Sequence, residues 1–160
     1  MEFVRIMKAT LKLCLSAVLV VGVLAGAAHA QDLRSAAGKT FRFWDPSHGS
    51  QIEYIGPRGL WAFLWYPGNR VIVPARWRLT TVGGEPGKCE LWPARSYNPV
   101  TGQVGGWECS PQSRWRAKIV EVAKGDIFGL AHDPGRPYAT PFPLPREPLT
   151  FSQLRQMMGR

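Results

Sequence analysis

The most regular alternation of apolar and polar residues in the chain lies between positions 70 and 79. The apolar set is Val71, Val73, Ala75, Trp77 and Leu79, and the arginines Arg70, Arg76 and Arg78 have the opposite parity. A period of two predicts a strand with one side against a core and the other side in water. The glycines Gly83 and Gly84 follow this segment and predict a turn.

Two more strands are predicted after this turn, over residues 87–92 and 106–109. The same alternation divides their side chains between two sides. The inward set is Cys89, Leu91, Trp107 and Cys109, and the outward set is Lys88, Glu90 and Glu108. The two cysteines would then lie on the inward side of separate strands, where a disulfide between them can close.

A hairpin is predicted over residues 51–66, with its turn at Gly56-Pro57-Arg58-Gly59. If Pro57 and Arg58 are the central turn residues, Tyr54 lies opposite Trp61. One face would carry Ile52, Tyr54, Trp61, Phe63 and Trp65, and the other would carry Glu53, Ile55, Leu60, Ala62 and Leu64. Because both faces are mostly apolar, the hairpin is expected either between two layers or along a cavity.

Shorter patterns complete the fold prediction. Strands are expected over 39–44, 115–122 and 127–131, and a short helical turn over 32–38. Residues 132–148 are rich in proline and predict an extended tail over the surface. A capping box from Thr150 to Gln153 predicts a C-terminal helix. About eight short strands between turns predict a mainly β fold, a small antiparallel barrel or sandwich, with a short N-terminal helical turn and a C-terminal helix.

The first 30 residues have the pattern of a signal peptide. Arg5, Lys8 and Lys12 precede an uncharged apolar run over 13–28, and Ala28-His29-Ala30 forms a small-residue cleavage site. The run is shorter than the roughly 20 residues that a transmembrane helix needs, although an uncleaved anchor is the alternative. We therefore predict cleavage after Ala30, a periplasmic or secreted protein with no membrane span, a β-barrel domain over 31–131 and a Pro-rich tail with a closing helix over 132–160.

Export to an oxidising compartment leaves Cys89 and Cys109 as an even pair, which favours a disulfide. The alternative is a Cys–His nucleophile that uses His48 or His132. No metal-binding spacing, phosphate-binding glycine loop or nucleophile motif is present, so no metal, cofactor or catalytic residue is predicted. The acids Glu53, Glu90 and Glu108 leave a polysaccharide hydrolase as a less favoured hypothesis.

Charge and aromatic content predict a ligand class. After removal of residues 1–30 the net charge would be +7, which favours anionic partners such as lipid headgroups or acidic polysaccharides. The alternative is a solvated surface with scattered charges, and nucleic acid is the wrong partner for an exported protein. The candidate ligand-binding residues are Trp61, Phe63 and Trp65, with Arg76 and Arg78 as charge partners. The favoured hypothesis is a non-enzymatic protein that binds an anionic or amphipathic envelope ligand. The alternative is a structural or protein-interaction module.

A series of motifs carries a family resemblance. It consists of Gly38-Lys39-Thr40, a Tyr54-x-x-Pro-x-Gly59 hairpin, Trp77-x-Leu79, Cys89-x-Leu91-Trp92 and Trp107-x-Cys109. This order resembles small exported proteobacterial proteins of unassigned function with a lipocalin-like antiparallel barrel. The resemblance implies a periplasmic location and a small barrel, and it implies no catalytic residue.

Overall fold

The computed structural model describes residues 32–159, so the predicted signal peptide and its cleavage site lie outside the described residues. Seven strands and two α-helices follow a short 3-10 helix, Leu33–Ser35. The strands are β1 Lys39–Asp45, β2 Gly49–Ile55, β3 Trp61–Trp65, β4 Val73–Val82, β5 Glu85–Tyr97, β6 Val104–Pro111 and β7 Ile119–Lys124. The helices are α1 Gln112–Ala117 and α2 Phe151–Met157.

The strands form one antiparallel sheet in the order β6-β5-β4-β3-β2-β1-β7. The predicted mainly β fold with a C-terminal helix is confirmed. The sheet is a single layer, however, and it is not closed into a barrel. Its edges are β6 and β7, which α1 connects along the chain.

The register divides the side chains between two faces, because directly opposed residues point to the same side of a sheet. We call the face that carries Tyr54, Phe63 and Trp65 the tail face, since the C-terminal segment packs on it. Its core also contains Ile52, Ile72, Phe128, Leu130, Leu144, Phe151 and Leu154. The opposite face, the inner face, carries a core of Leu33, Ala36, Phe41, Phe43, Ile55, Ala62, Ala75, Trp77 and Trp115.

The predicted β2–β3 hairpin forms with the expected faces but a different register. Tyr54 lies opposite Phe63 instead of Trp61. The loop between the two strands is longer than predicted. Its ends are joined by a hydrogen bond from the Gly56 amide to the carbonyl of Trp61, at 2.8 Å, which lies outside the Gly56–Gly59 turn. The shift is by two residues, so the sharing of one face by the aromatic side chains is confirmed.

The strand predicted over 115–122 is partly wrong, since residues 112–117 form helix α1 and only Ile119–Lys124 is a strand. The helix turns Trp115 into the inner core, where its ring lies 5.0 Å from that of Phe41. The strand expected over 127–131 is also absent. The Asp126 carboxylate instead accepts the amides of Leu130 and Ala131, each at 2.8 Å, and holds a turn.

The Pro-rich segment packs on the tail face. An isolated bridge joins its Ala139 to Val71, just before β4, and the Trp65 indole donates to the Phe142 carbonyl at 3.1 Å. The segment also buries Leu144 in the tail-face core. Helix α2 begins with the predicted capping box of Thr150 and Gln153. Within residues 32–159, no helix has the length and apolar character needed to span a bilayer.

The sheet curls around its inner face. Lys88 lies on β5 and Glu53 on β2, yet the Lys88 ammonium is 3.5 Å from the Glu53 carboxylate. Three strand spacings in a flat sheet would hold these backbones about 14 Å apart. The curled face is filled from one side by Leu33 and Trp115, whose elements are linked where the Leu33 amide donates to the Gln112 side chain at 3.2 Å.

The packing of the tail on β2 gives a stability prediction. Gly49 has a φ of 74°, and a Cβ there would lie 2.8 Å from the carbonyl oxygen of Arg146. We expect Gly49→Ala to lower the free energy of unfolding in urea by about 2–4 kcal/mol, from backbone strain and collision together. Gly68→Ala is the control, because Gly68 has a φ of 84° and open space around it. Strain alone costs about 1–2 kcal/mol there, and equal losses at the two sites would contradict the packing.

Candidate functional site

The structure separates the five predicted ligand-binding residues into two groups. Phe63 and Trp65 are buried in the tail-face core, under the segment that the Pro-rich tail supplies. Arg76 and Arg78 are exposed, and Trp61 is half-buried at the margin of the same core. Only Trp61, Arg76 and Arg78 are therefore placed where they can meet a ligand.

These three residues belong to a cross-strand arrangement on the uncovered part of the tail face. Trp61 lies opposite Arg76, Arg76 opposite Leu91, and Leu91 opposite Trp107, so one row crosses β3 to β6. The Arg76 guanidinium carbon is 5.8 Å from the Trp61 ring centroid, and that of Arg78 is 4.1 Å from the Trp107 centroid. We call Trp61, Arg76, Arg78, Leu91 and Trp107 the Trp–Arg surface.

The prediction that Trp107 faces the core is wrong, since its side chain is 45% exposed. The reason is the register of β4 and β5, which meet at Val82 and Glu85 around the two-residue turn. In a hairpin with a two-residue turn, each odd-numbered residue of one strand pairs with an even-numbered residue of the other. Leu91 and Trp107 therefore share the side of Arg76 instead of the side of Trp77. The Gly83-Gly84 pair is the sequence signal that could have placed them.

The electrostatics of the Trp–Arg surface are uniformly positive. The next row on the same face, two residues along each strand, contains Arg78, Cys89 and Cys109. Neither row includes an acidic residue. Among the described residues, no carboxylate forms an ion pair with Arg76 or Arg78. Each guanidinium carbon lies over an indole ring, a cation–π contact that leaves N–H donors available for an anion.

The predicted disulfide between Cys89 and Cys109 is present, with Cα atoms 4.0 Å apart. The bond links directly opposed residues of β5 and β6, next to Arg78. The predicted burial is correct for Cys89, which is 2% exposed, and wrong for Cys109, which is exposed on the tail-face side. The bond fixes the two strands that carry Leu91 and Trp107, and it leaves neither thiol for the alternative Cys–His nucleophile.

Lys88 and Glu90 also contradict their predicted outward position, since both side chains are buried on the inner face. The Lys88 ammonium forms ion pairs with Glu90 and with the buried Glu53 of β2. Glu90 lies opposite Trp77 on one side and Glu108 on the other. Burial of an isolated charge is costly, so these three ionisable groups depend on one another.

The cluster shifts the protonation of two of its members. Burial raises the pKa of the Glu90 carboxyl, the Glu53 carboxylate raises it further, and Lys88 opposes both effects. Burial would lower the pKa of Lys88, but the two carboxyl groups outweigh it and raise that pKa above the usual range. Lys88 therefore stays charged, and retention of a proton by Glu90 brings the buried group closer to neutrality.

This geometry does not suit the hydrolase hypothesis. Glycosidase carboxyl groups stand about 5–9 Å apart with the sugar, or the sugar and a water, between them. Glu53 and Glu90 instead contact the same ammonium group and are 3% and 7% exposed. Glu108, the third acid, accepts the indole N–H of Trp92 at 3.1 Å.

His48 and His132 have local structural partners. Asp45 accepts the backbone amide of His48 at 2.9 Å and contacts its ring, while Lys118 Nζ lies 3.1 Å away. Burial would raise the pKa of Asp45, but these bonds lower it to about 2. The His132 ring contacts the carbonyl of Leu130 at 2.9 Å. Within residues 32–159, no group of three or more His, Cys, Asp or Glu side chains is placed to hold a metal ion.

Comparison of the chain with protein-family models, with curated proteins and with solved structures gave no match. The resemblance to lipocalin-like exported proteins therefore stays a prediction.

The buried cluster predicts a pH dependence. Because the pKa of Glu90 is raised in the folded protein, its stabilising contribution is complete below the ordinary value of 4.5 and is lost as pH rises through the folded value. We expect the free energy of unfolding of the wild type to fall above pH 4.5, by at most about 1.4 kcal/mol per pH unit. Glu90→Gln cannot lose this proton, so its stability relative to wild type should improve as pH rises.

Urea unfolding at a series of pH values between 4.5 and neutrality measures this difference. The exposed Glu147→Gln variant is the matched control, since it removes the same charge outside the cluster. The lowered pKa of Asp45 reduces the free energy of unfolding only below the ordinary value of 3.8, which lies outside this pH range. Parallel curves for Glu90→Gln and wild type would contradict the raised pKa.

Proposed function

We propose that the protein is an exported, non-enzymatic binding protein that takes an anionic, amphipathic ligand of the cell envelope on its Trp–Arg surface. The observation that carries the proposal is the pair of exposed arginines on β4, each in cation–π contact with a tryptophan and neither paired with a carboxylate among the described residues. Unpaired arginines are the usual partners of phosphate and carboxylate groups in proteins.

The spacing on β4 suits a ligand with more than one acidic oxygen. Arg76 and Arg78 are two residues apart and point to the same side, so their backbones lie about 7 Å apart. A single phosphate or two neighbouring acidic groups can therefore meet both side chains. The half-buried Leu91 and the exposed ring of Trp107 offer apolar contact beside the charges, which favours an amphipathic molecule over a simple anion.

The alternative is an interaction module that docks through the Pro-rich tail and α2. One feature supports it, an open cavity of about 330 Å³ whose lining residues include Phe128, Tyr138, Phe142 and Met157. The same segment already contributes Leu144 and Leu154 to the tail-face core, so closing the sheet accounts for its apolar residues. The cavity has no charged lining residue to explain a preference for anions.

The proposal predicts binding of a monomeric anionic amphiphile. Short-chain phosphatidylglycerol, kept below its critical micelle concentration, should change the tryptophan fluorescence of the wild type, and short-chain phosphatidylcholine should not. We expect Arg76→Gln/Arg78→Gln to weaken binding by about 10- to 100-fold, since each charge-assisted bond contributes about 1.5–3 kcal/mol in a protected site and less at a surface.

Arg34→Gln/Arg58→Gln is the matched control, because both residues are exposed and lie outside the Trp–Arg surface. If binding depends on the local pair of arginines and not on the net charge of the protein, the control variant should bind with the affinity of the wild type. Equal weakening in the two double variants would reduce the effect to nonspecific electrostatics and remove the site.

A further inference from the structure

The end of the β5–β6 hairpin separates from β4. The last pair between β4 and β5 is Arg76 with Leu91, and past that point β5 pairs with β6 alone among the described residues. The pairs of this separate part include Trp92 with Gly106 and Tyr97 with Val104. We call residues 92–106 the arm, and its connecting turn lies between Tyr97 and Val104.

The end of the arm exposes apolar side chains on an ordered turn. Tyr97 and Val104 are 63% and 62% exposed, and Val100 between them is 39% exposed. The Asn98 side chain accepts the Val100 amide at 3.0 Å, and the Gly102 amide donates to the Asn98 carbonyl at 2.8 Å. The turn therefore holds three apolar side chains in water, at a cost that folding of the sheet does not explain.

The charge of this region has one sign. Arg95 is the only charged residue between Leu91 and Trp107, and it is exposed. Arg76 and Arg78 lie at the base of the arm, on the row that ends at Leu91 and Trp107 and the row next to it. An apolar tip with aromatic and arginine residues behind it complements an anionic bilayer, whose phosphates lie just outside its apolar interior.

We propose that the arm inserts Tyr97, Val100 and Val104 into the interface of an anionic lipid bilayer, with the arginines against the lipid phosphates. A bilayer receives exposed apolar side chains without a preformed groove, whereas a protein partner must supply a groove of matching shape. The inference rests on the proposed function, because it identifies the anionic ligand as a headgroup presented by a membrane. It adds residues that the Trp–Arg surface does not contain, so the two can be tested separately.

The experiment measures sedimentation of the folded protein with vesicles of phosphatidylcholine, alone or mixed with phosphatidylglycerol. We expect binding to the mixed vesicles only, and loss of binding as salt is raised. Tyr97→Thr/Val100→Thr/Val104→Thr keeps residues that favour strands and should reduce vesicle partitioning about tenfold or more. Leu60→Thr/Leu79→Thr/Val120→Thr is the matched control, since it removes three exposed apolar side chains elsewhere.

The outcomes distinguish the two proposals. Loss of vesicle binding in the arm variant, with short-chain phosphatidylglycerol still bound, supports the insertion of the arm. Vesicle binding that is unchanged in the arm variant, or equal on pure phosphatidylcholine, overturns it and leaves the Trp–Arg surface intact. A wild type that binds the monomeric lipid but no vesicle also overturns the insertion alone. Failure to bind either probe overturns both proposals. If the wild type is a dimer and the arm variant is not, the tip contacts a second copy of the chain, and insertion into a bilayer is overturned.

Discussion

The pairing of β4 with β5 through Gly83 and Gly84 decides which side chains of the outer strands face a core. Both glycines have positive φ, 61° and 85°, as a two-residue hairpin turn of this kind requires. Val82 therefore lies opposite Glu85, and every later pair along the two strands follows from that contact. A slip of one residue would move each side chain of β5 to the other face. The inner core and the exposed surface thus depend on the same short turn.

The most costly consequence of this register is the burial of Lys88. The register turns Lys88 and Glu90 towards the inner face, and the curl of the sheet brings Glu53 across from β2. The Lys88 ammonium group is buried and pairs with both carboxyl groups, which offset the cost of its burial. Ion pairs of this type rarely add net stability, but they penalise other registers, because a slipped strand would leave the carboxyl group of Glu53 without a cation. We therefore regard the cluster as a device that makes one register much better than its neighbours.

The sequence predicts those features that depend on local chemistry. The capping box at Thr150, the mainly β character, the Cys89–Cys109 pair and the shared face of the β2–β3 aromatics all follow from residue type and period. The features that it misses depend on how segments meet. Parity alone cannot say which side of β5 joins which side of β4, so it places Lys88 and Trp107 on the wrong faces. Trp115 is correctly expected in a core but is assigned to a strand, because an apolar residue can reach a core from a helix as readily as from a strand.

The tail face shows why the candidate site could be predicted only in part. One set of aromatic residues along β3 has a common period, yet the Pro-rich tail and α2 cover Phe63 and Trp65 and stop before the row of Arg76. The position where this cover ends is a tertiary property that no pattern within β3 contains. On the uncovered side, the two guanidinium groups lie over indole rings, next to the disulfide. In the proposed binding, arginines placed in this way would lose less side-chain entropy than arginines without a neighbouring ring, so a few charge-assisted hydrogen bonds would contribute more to the affinity.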